Sequence, residues 1–159
     1  MEDATQKPAR IGLAELEGLV GRQLGSSRWH RISQQEIDKF AEATGDFQPI
    51  HVDPQAARNG PYGKTIAHGF LTLSLVASLT PEAFEITDAQ SLINYGVNRV
   101  RFPAPLLEGE RVMLTTSLAA IENRPAGKLL TLSFEIHPEG GSRPVAIGET
   151  LLLAIAQEG

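Results

Sequence analysis

Apolar and polar positions recur at helical spacing early in the chain. Ser33 is followed three residues later by Glu36, the spacing of a capping box, in which each side chain binds the other residue's backbone N–H at a helix start. Gly45 supplies a C-terminal stop. The positions that recur between them are Ile37, Phe40, Ala41 and Thr44. This pattern predicts an amphipathic helix, preceded by a strand near Ser26 to Ile32.

The segment from Asp46 to Lys64 follows this helix and contains three prolines and two glycines. That composition predicts irregular backbone, with at most one short helical turn around Gln55 to Arg58. Loops of this length inside compact domains are often functional. The segment is therefore the first place to look for chemistry.

The segment from Gly69 to Leu79 reads GFLTLSLVASL and has apolar residues all round its helical circumference. A helix of this kind is typically buried on every side. Pro81 is predicted to mark its end, and the run is too short to cross a bilayer. We therefore expect a buried central helix.

Alternation at period two dominates the rest of the chain, in runs around 112–118, 130–136 and 145–155. The run from Leu92 to Phe102 changes phase, which predicts a bulge near Asn98. Short connections rich in Gly, Pro or Asn predict a meander of antiparallel strands. The order of elements favours a single α+β domain over residues 1–159, in which an antiparallel sheet curls around the apolar helix. Residues 1–10 are expected to form a flexible segment.

Composition narrows the functional classes. The chain has 159 residues, 42% of them hydrophobic, as in an ordinary globular domain. It has no cysteine, which excludes disulfides, thiolate metal sites and a cysteine nucleophile. Its net charge of -5 argues against nucleic-acid binding. The polar N-terminus resembles no signal peptide, and no run is long enough for a membrane span, so a cytoplasmic location is expected.

Asp46 and His51 form the first candidate catalytic pair. They are separated by five positions across Pro49, which stiffens the backbone between them. A carboxylate and an imidazole held together can share one water molecule. The alternative is structural, because Asp46 also suits a turn after Gly45 and His51 suits a backbone hydrogen bond in a surface loop. The spacing alone does not decide between them.

His68 and Gly69 form a second candidate site at the start of the apolar helix. A helix N-terminus has unpaired N–H groups and a positive dipole end, so the Gly69 N–H could donate to a carbonyl oxygen. Alternatively, Gly69 only permits close packing, while His68 caps the helix or fills space. Both interpretations stay open at this point.

Three strings in order carry a resemblance that spans roughly Gly21 to Ile155: ATGDFQPIHVDP, GKTIAHGFLTLSL and NYGVNRVRFPAP. Together they resemble the MaoC-like family of (R)-specific enoyl-CoA hydratases. The branch most similar to them includes nodulation protein N and the hydratases that supply polyhydroxyalkanoate monomers. The resemblance implies a hotdog fold, with Gly69 to Leu79 as the central helix, and a homodimer whose sites lie near the subunit interface.

The resemblance also implies roles for individual residues. Asp46 and His51 correspond to the pair that holds the reacting water, and Gly69 corresponds to the backbone donor to the thioester oxygen. The family motif commonly has Asn where this chain has Gln48. Gln48 keeps the amide, so it is retained as a supporting residue of the substrate site.

Further candidates for substrate binding are His68 and two basic residues, Arg99 and Arg101, which are suited to the phosphates of coenzyme A. The expected substrate is an enoyl-CoA or 3-hydroxyacyl-CoA, with no cofactor. A metal bound by Asp46, His51 and His68 is not expected, because their spacing matches no recognised site and water addition beside a thioester needs no Lewis acid.

Two other functions remain to be weighed. A hotdog thioesterase usually carries a carboxylate on the central helix, and Gly69 to Leu79 contains none. A non-catalytic acyl-binding or assembly subunit would keep the fold without turnover. The presence of Asp46, His51 and Gly69 argues against that second alternative.

Overall fold

The computed structural model describes residues 7–156. Its helices are α1 (Gln34–Thr44), α2 (Pro49–Val52), α3 (Pro54–Arg58) and α4 (Gly69–Ala83), with one 3-10 turn at Leu16–Leu19. Its strands are β1 (Ala9–Ile11), β2 (Gln23–Ser26), β3 (His30–Arg31), β4 (Phe84–Ile86), β5 (Ala89–Arg101), β6 (Arg111–Arg124), β7 (Gly127–Pro138) and β8 (Ala146–Ala156). No helix within the described range is long and apolar enough to span a membrane.

The main sheet is antiparallel and has the strand order β2-β6-β7-β8-β5, with β3 also pairing with β6. The meander predicted from the short connections is confirmed for β6, β7 and β8. It is wrong for β5, which pairs with β8 and not with β6. The link between β5 and β6 is no hairpin turn, because it buries Leu106 and pairs Leu107 with Ile66 as it crosses the end of the sheet.

Helix α4 packs against the concave face of this sheet. One core cluster joins Leu75 and Leu79 of α4 to Ile37 of α1 and to strand residues such as Leu114 and Phe134. A second cluster lies around the C-terminal end of α4 and includes Phe84, Leu118, Leu130 and Leu132. The predicted arrangement, an antiparallel sheet around a central helix, is therefore present.

Two expectations for α4 are wrong. The helix continues past Pro81 to Ala83. Pro81 removes a single hydrogen bond, to Ala77, and both residues face solvent, where water can satisfy the carbonyl. The helix is also not buried all round, because Phe70 is 71% exposed. The sheet of a single chain covers only the stripe Leu71, Thr72, Leu75, Val76, Leu79, Thr80 and Ala83.

The N-terminal part of the chain is more regular than expected. Ala9 and Arg10, assigned from sequence to a flexible segment, belong to β1, which pairs in parallel with β4. Residues 1–6 of that segment lie outside the described range. The strand expected over Ser26 to Ile32 is divided into β2 and β3.

The loop after α1 contains two short helices and not the single turn expected. Both begin with proline, whose fixed backbone angle suits the first helical position. Asp53 caps the second, because its side chain accepts from the N–H groups of Gln55 and Ala56. The loop is therefore held by local structure.

The bulge predicted near Asn98 is confirmed by a register shift between Asn98 and Arg101 in the pairing of β5 with β8. Arg99 lies in the bulge with a φ of 49°, a left-handed conformation that is uncommon outside glycine. Gly148 faces the bulge on β8, and a Cβ at this position would lie 2.9 Å from the Val100 side chain. The glycine leaves room for the bulged backbone.

The predicted capping box of α1 is present, since Ser33 and Glu36 bind each other's backbone N–H groups. Burial raises the pKa of the Glu36 carboxyl, but the hydrogen bonds from Ser33 and the neighbouring His30 outweigh it, so the pKa is lowered overall. Since the pKa is lowered in the folded state, the stabilisation is present at neutral pH and is lost as the pH falls through the acid range.

Close contact between β2 and the end of α4 requires glycine at position 25. A Cβ at Gly25 would lie 2.2 Å from the carbonyl oxygen of Ala83. We expect Gly25→Ala to lower the free energy of unfolding by about 1–3 kcal/mol, because backbone must move to relieve the overlap. Urea unfolding would measure it. Gly18→Ala is the control, since no atom lies within 4 Å of its added Cβ; equal stability of the two variants would contradict the packing.

Candidate active site

Asp46 is placed by the end of α1. Gly45 adopts the left-handed conformation, φ 79°, and its N–H donates to Ala41, which closes the helix. Asp46 follows directly and is half-buried. Its Oδ1 accepts from the backbone N–H of Gln48 at 3.4 Å and from the Gln48 side-chain amide at 3.3 Å. Gln48 thus contacts the carboxylate, as a supporting residue would.

His51 lies on the short helix α2 and is 6% exposed. Its Nδ1 lies 2.7 Å from the carbonyl oxygen of Ile66. Because a carbonyl only accepts, Nδ1 carries the proton of the neutral ring, and Nε2 keeps its lone pair for another partner. The N–H of Ile66 donates in turn to Ile50 O at 3.0 Å, so the two segments hold each other.

A side-chain network behind His51 was missed by the sequence analysis. The Gln34 amide donates to the backbone carbonyl of His51 and to the Asp38 carboxylate, both at 2.8 Å. The Thr65 hydroxyl donates to the other end of the same amide. Gln34 therefore ties α1 to α2 and to the strand-like segment before α4. Its partners are distant in sequence, so no local pattern could have revealed it.

His68 brings the two candidate sites together. Its Nε2–H donates to the backbone carbonyl of Asp46 at 2.9 Å, and its ring stacks on His51 with centroids 3.9 Å apart. One carboxylate oxygen of Asp46 and one ring nitrogen from each histidine lie within 4.8 Å of one another. The loop and the helix start therefore form one site.

Gly69 is the first residue of α4, and the preceding His68 provides no side-chain cap. The Gly69 N–H has no hydrogen-bond partner within residues 7–156, as expected for the first turn of a helix. A Cβ at Gly69 would lie 2.9 Å from the ring of Phe102. Gly69 therefore permits close packing and also has an unpaired N–H, so the two interpretations of this glycine are compatible.

A cavity of about 370 Å³ opens beside these groups. Its walls come from the loop, the start of α4 and the link between β5 and β6: His51, Tyr62, Ile66, Ala67, Gly69, Thr72, Phe102, Pro103, Ala104, Pro105, Leu106 and Val145. Tyr62 and Phe102 were not among the candidates from sequence. The one sequence feature that could have marked Phe102 as a site residue is its aromatic side chain next to the basic residues of β5.

The two arginines are not brought to this cavity. Arg99 and Arg101 are exposed on the bulged end of β5, next to Phe102, and neither lines the cavity wall. The Arg101 guanidinium donates to the carbonyl of Val100 at 2.9 Å. Both cations therefore lie outside the cavity and remain accessible to a ligand that extends beyond it.

The arrangement suits acid–base chemistry on a neutral electrophile. A carboxylate and an imidazole lone pair can both accept a hydrogen bond from one water molecule. The nearby helix N-terminus offers an N–H to an oxygen that gains negative charge. The same side chains are also of metal-ligating types, and the absence of a metal requirement stays a prediction.

The chain is similar to known proteins over nearly its whole length. Residues 15–133 match the family described as MaoC like domain. A 3-hydroxyacyl-thioester dehydratase Z from Mycobacterium tuberculosis is 42% identical over 145 residues, which are 91% of this chain and 96% of the relative. A nodulation protein N from Rhizobium meliloti is 39% identical over 147 residues, 91% of each chain.

A solved structure of the (R)-hydratase from A. caviae involved in PHA biosynthesis has a TM-score of 0.69 and 26% identity. The match covers 82% of this chain and 95% of that one. The resemblance inferred from the three strings, the hotdog fold and the hydro-lyase class are confirmed by these matches. The chain therefore belongs to the MaoC-like dehydratase family.

Proposed function

We propose that this protein is an (R)-specific enoyl-CoA hydratase, which adds water across the double bond of a trans-2-enoyl-CoA to give (R)-3-hydroxyacyl-CoA and also catalyses the reverse dehydration. One observation carries the proposal. A carboxylate oxygen of Asp46 lies within 4.8 Å of a ring nitrogen of His51, and His51 lines one cavity together with Gly69, whose N–H is free. Hydration of an enoyl thioester needs those three groups.

Asp46 is the general base in this proposal. The thioester carbonyl withdraws electrons from the double bond, so C3 is the electrophilic carbon. The Asp46 carboxylate takes a proton from the water as its oxygen bonds to C3, and His51 Nε2 orients that water by accepting its second hydrogen. The proton that Asp46 has taken is then delivered to C2 with the assistance of His51, which completes the addition and restores the carboxylate.

Gly69 stabilises the charge that develops in this step. As water attacks C3, the electron pair of the double bond moves toward the thioester, and its oxygen becomes enolate-like. The Gly69 N–H donates to that oxygen, and the positive end of the α4 dipole adds to the effect. A single donor of this kind typically contributes about 10²–10³ in rate.

The position of the carboxylate on α4 argues against the thioesterase alternative. Glu82 is the single carboxylate of the helix as the structure bounds it, from Gly69 to Ala83. It lies about 20 Å along the helix from Gly69 and is bound to the backbone N–H and guanidinium of Arg28. It is therefore not placed to act on a thioester at the helix start.

A second copy of the chain is proposed to complete the molecule. β5 is an edge strand of the sheet and exposes the apolar residues Leu92, Ile93, Tyr95 and Val97. A cleft of about 370 Å³ separates β5 from the uncovered side of α4. Unpaired apolar edges are usually covered in the native assembly. Edge-to-edge pairing of two β5 strands would cover this one and close the cleft.

The proposed ligand is a coenzyme A thioester, with Arg99 and Arg101 near its phosphates. Both arginines are exposed beyond the cavity wall formed by Phe102, where the carrier would emerge from the site. The proposal includes no cofactor and no metal, since the reaction consumes only water. The cytoplasmic location expected from the sequence also stays a prediction.

Removal of either reacting side chain tests the proposed chemistry. We expect Asp46→Asn and His51→Ala each to lower turnover at least about a hundredfold with little change in folding. Loss of the conjugated enoyl absorbance measures turnover, and thermal unfolding measures stability. His137→Ala is the matched control, because His137 is a half-buried histidine on β7 that binds Glu135 and does not line the cavity. Near-normal hydration by either variant would remove that residue from the mechanism, and binding without turnover in the wild type would favour an acyl-binding subunit.

Contacts to the carrier predict a substrate-dependent effect. We expect Arg99→Met with Arg101→Met to raise KM for the coenzyme A thioester about tenfold, because two exposed charge pairs with phosphate are lost. KM for the N-acetylcysteamine thioester of the same acyl group should not change. Arg124→Met is the control, since Arg124 pairs with Glu122 in the β6–β7 hairpin. An equal rise for both thioesters would contradict the assignment.

The oligomeric state tests the proposed pairing of β5. Tyr95 is 61% exposed on that strand, and we expect Tyr95→Glu to convert a dimer into monomers because it places a charge in an apolar interface. Sedimentation equilibrium distinguishes the two states. Tyr62→Glu is the control, as an exposed tyrosine in the loop and not in β5. A monomeric wild type, or a dimeric Tyr95→Glu variant, would contradict this interface.

A further inference from the structure

His68 contacts the backbone carbonyl of Asp46 and the ring of His51, and it does not line the cavity. Its own side chain is only 2% exposed. From its sequence context, His68 is predicted to bind substrate. Its ring packs against Phe40 and His51 and its Nε2–H is bound to Asp46, so at 2% exposure it offers little surface to a substrate. These contacts indicate a different role.

The first contact fixes the backbone of Asp46. The His68 Nε2–H donates to the Asp46 carbonyl at 2.9 Å, whereas the hydrogen bonds that reach the Asp46 carboxylate from Gln48 are longer, 3.3 and 3.4 Å. Phe47 and Gln48, which follow, are exposed. The carbonyl is therefore the best-held point of the residue, and it depends on one donor.

The second contact fixes the ring plane of His51. The two imidazoles are stacked at 3.9 Å with 25° between their planes. Phe40 of α1 packs on His68 at 5.0 Å between ring centroids. The hydrogen bond from Nδ1 to Ile66 holds one edge of His51, and the stack limits rotation about that edge. The lone pair of His51 Nε2 thereby keeps one direction.

The third observation concerns the cost of using histidine here. His68 Nδ1 is buried and, among residues 7–156, has no hydrogen-bond partner. A buried polar atom without a partner is unfavourable. Phenylalanine would fill a similar volume and could stack on His51 without that cost. What distinguishes histidine at this position is the Nε2–H that reaches Asp46.

We propose that His68 is a positioning residue for the hydration, which holds the Asp46 backbone through Nε2 and the His51 ring through the stack. It also precedes Gly69 directly in the chain. One side chain thus sets the relative positions of the base, the imidazole and the oxyanion donor. This inference rests on the proposed function.

Substitutions that separate the donor from the ring test this role. His68→Phe keeps an aromatic ring but loses Nε2–H, and His68→Gln keeps a donor of similar reach but loses the ring. We expect His68→Phe to lower kcat about ten- to a hundredfold, the loss typical of a misplaced reacting group. KM should stay within about twofold of the wild-type value. The melting temperature should change little, because removal of the partnerless Nδ1 offsets the loss of the hydrogen bond to the Asp46 carbonyl.

The donor explanation also predicts partial rescue. His68→Gln should have a higher kcat than His68→Phe, although its loss of packing lowers the melting temperature. His137→Phe and His137→Gln are matched controls at a half-buried histidine paired with Glu135, and neither should change kcat. These four variants use the same substitutions at two positions, so any general effect of the new side chains is visible.

Each other outcome has a distinct meaning. A raised KM with unchanged kcat would make His68 a substrate contact and overturn the positioning role. Wild-type kcat in His68→Phe, or losses of kcat that only follow losses of melting temperature, would also overturn it. A wild-type protein that hydrates no enoyl-CoA would refute the proposed function, and this inference with it, whereas an active wild type isolates the test to His68.

Discussion

Burial of one face of α4 against the concave sheet is the constraint on which the site depends. The packing of Leu75, Val76 and Leu79 fixes the axis of the helix and therefore the position of its first N–H, at Gly69. That end carries no side-chain cap. A helix start without a cap, beside a cavity, is available to bind a developing negative charge.

The loop from Asp46 to His68 is built around this helix end. The short helix α2 presents His51. Ile66 and His68, which lead the chain back to α4, bind His51 and Asp46. The segment just before α4 is anchored to the β5–β6 link, since Ala67 N–H donates to Leu106 O at 2.8 Å. The proposed reacting groups thus lie on a loop that is tied to the helix and the sheet.

Local features of the site could be predicted from sequence, and distant ones could not. Ser33 with Glu36, the stop at Gly45 and the phase change near Asn98 all act within a few residues, and each is present. Gln34 and Thr65 act across the fold, so no periodicity marks them. The pairing of β5 with β8 was missed for the same reason, because short connections favour pairing of strands that follow each other.

The predicted burial of α4 on all sides fails for a physical reason that bears on the assembly. A single sheet covers one stripe of a helix, while Phe70 and the apolar residues of β5 remain exposed on the other side. The apolar residues that α4 and β5 leave exposed are the basis for the proposed second copy of the chain. The intramolecular contacts account for the site, and the exposed side accounts for the proposed partner.

The handedness of the product tests the central claim most directly, because the proposed base, imidazole and oxyanion donor would act on one face of the substrate. Purified wild-type protein would be incubated with a trans-2-enoyl-CoA and the product resolved by chiral chromatography. The account predicts (R)-3-hydroxyacyl-CoA with no release of free coenzyme A. An (S) product, cleavage of the thioester, or no reaction across a series of chain lengths would contradict it.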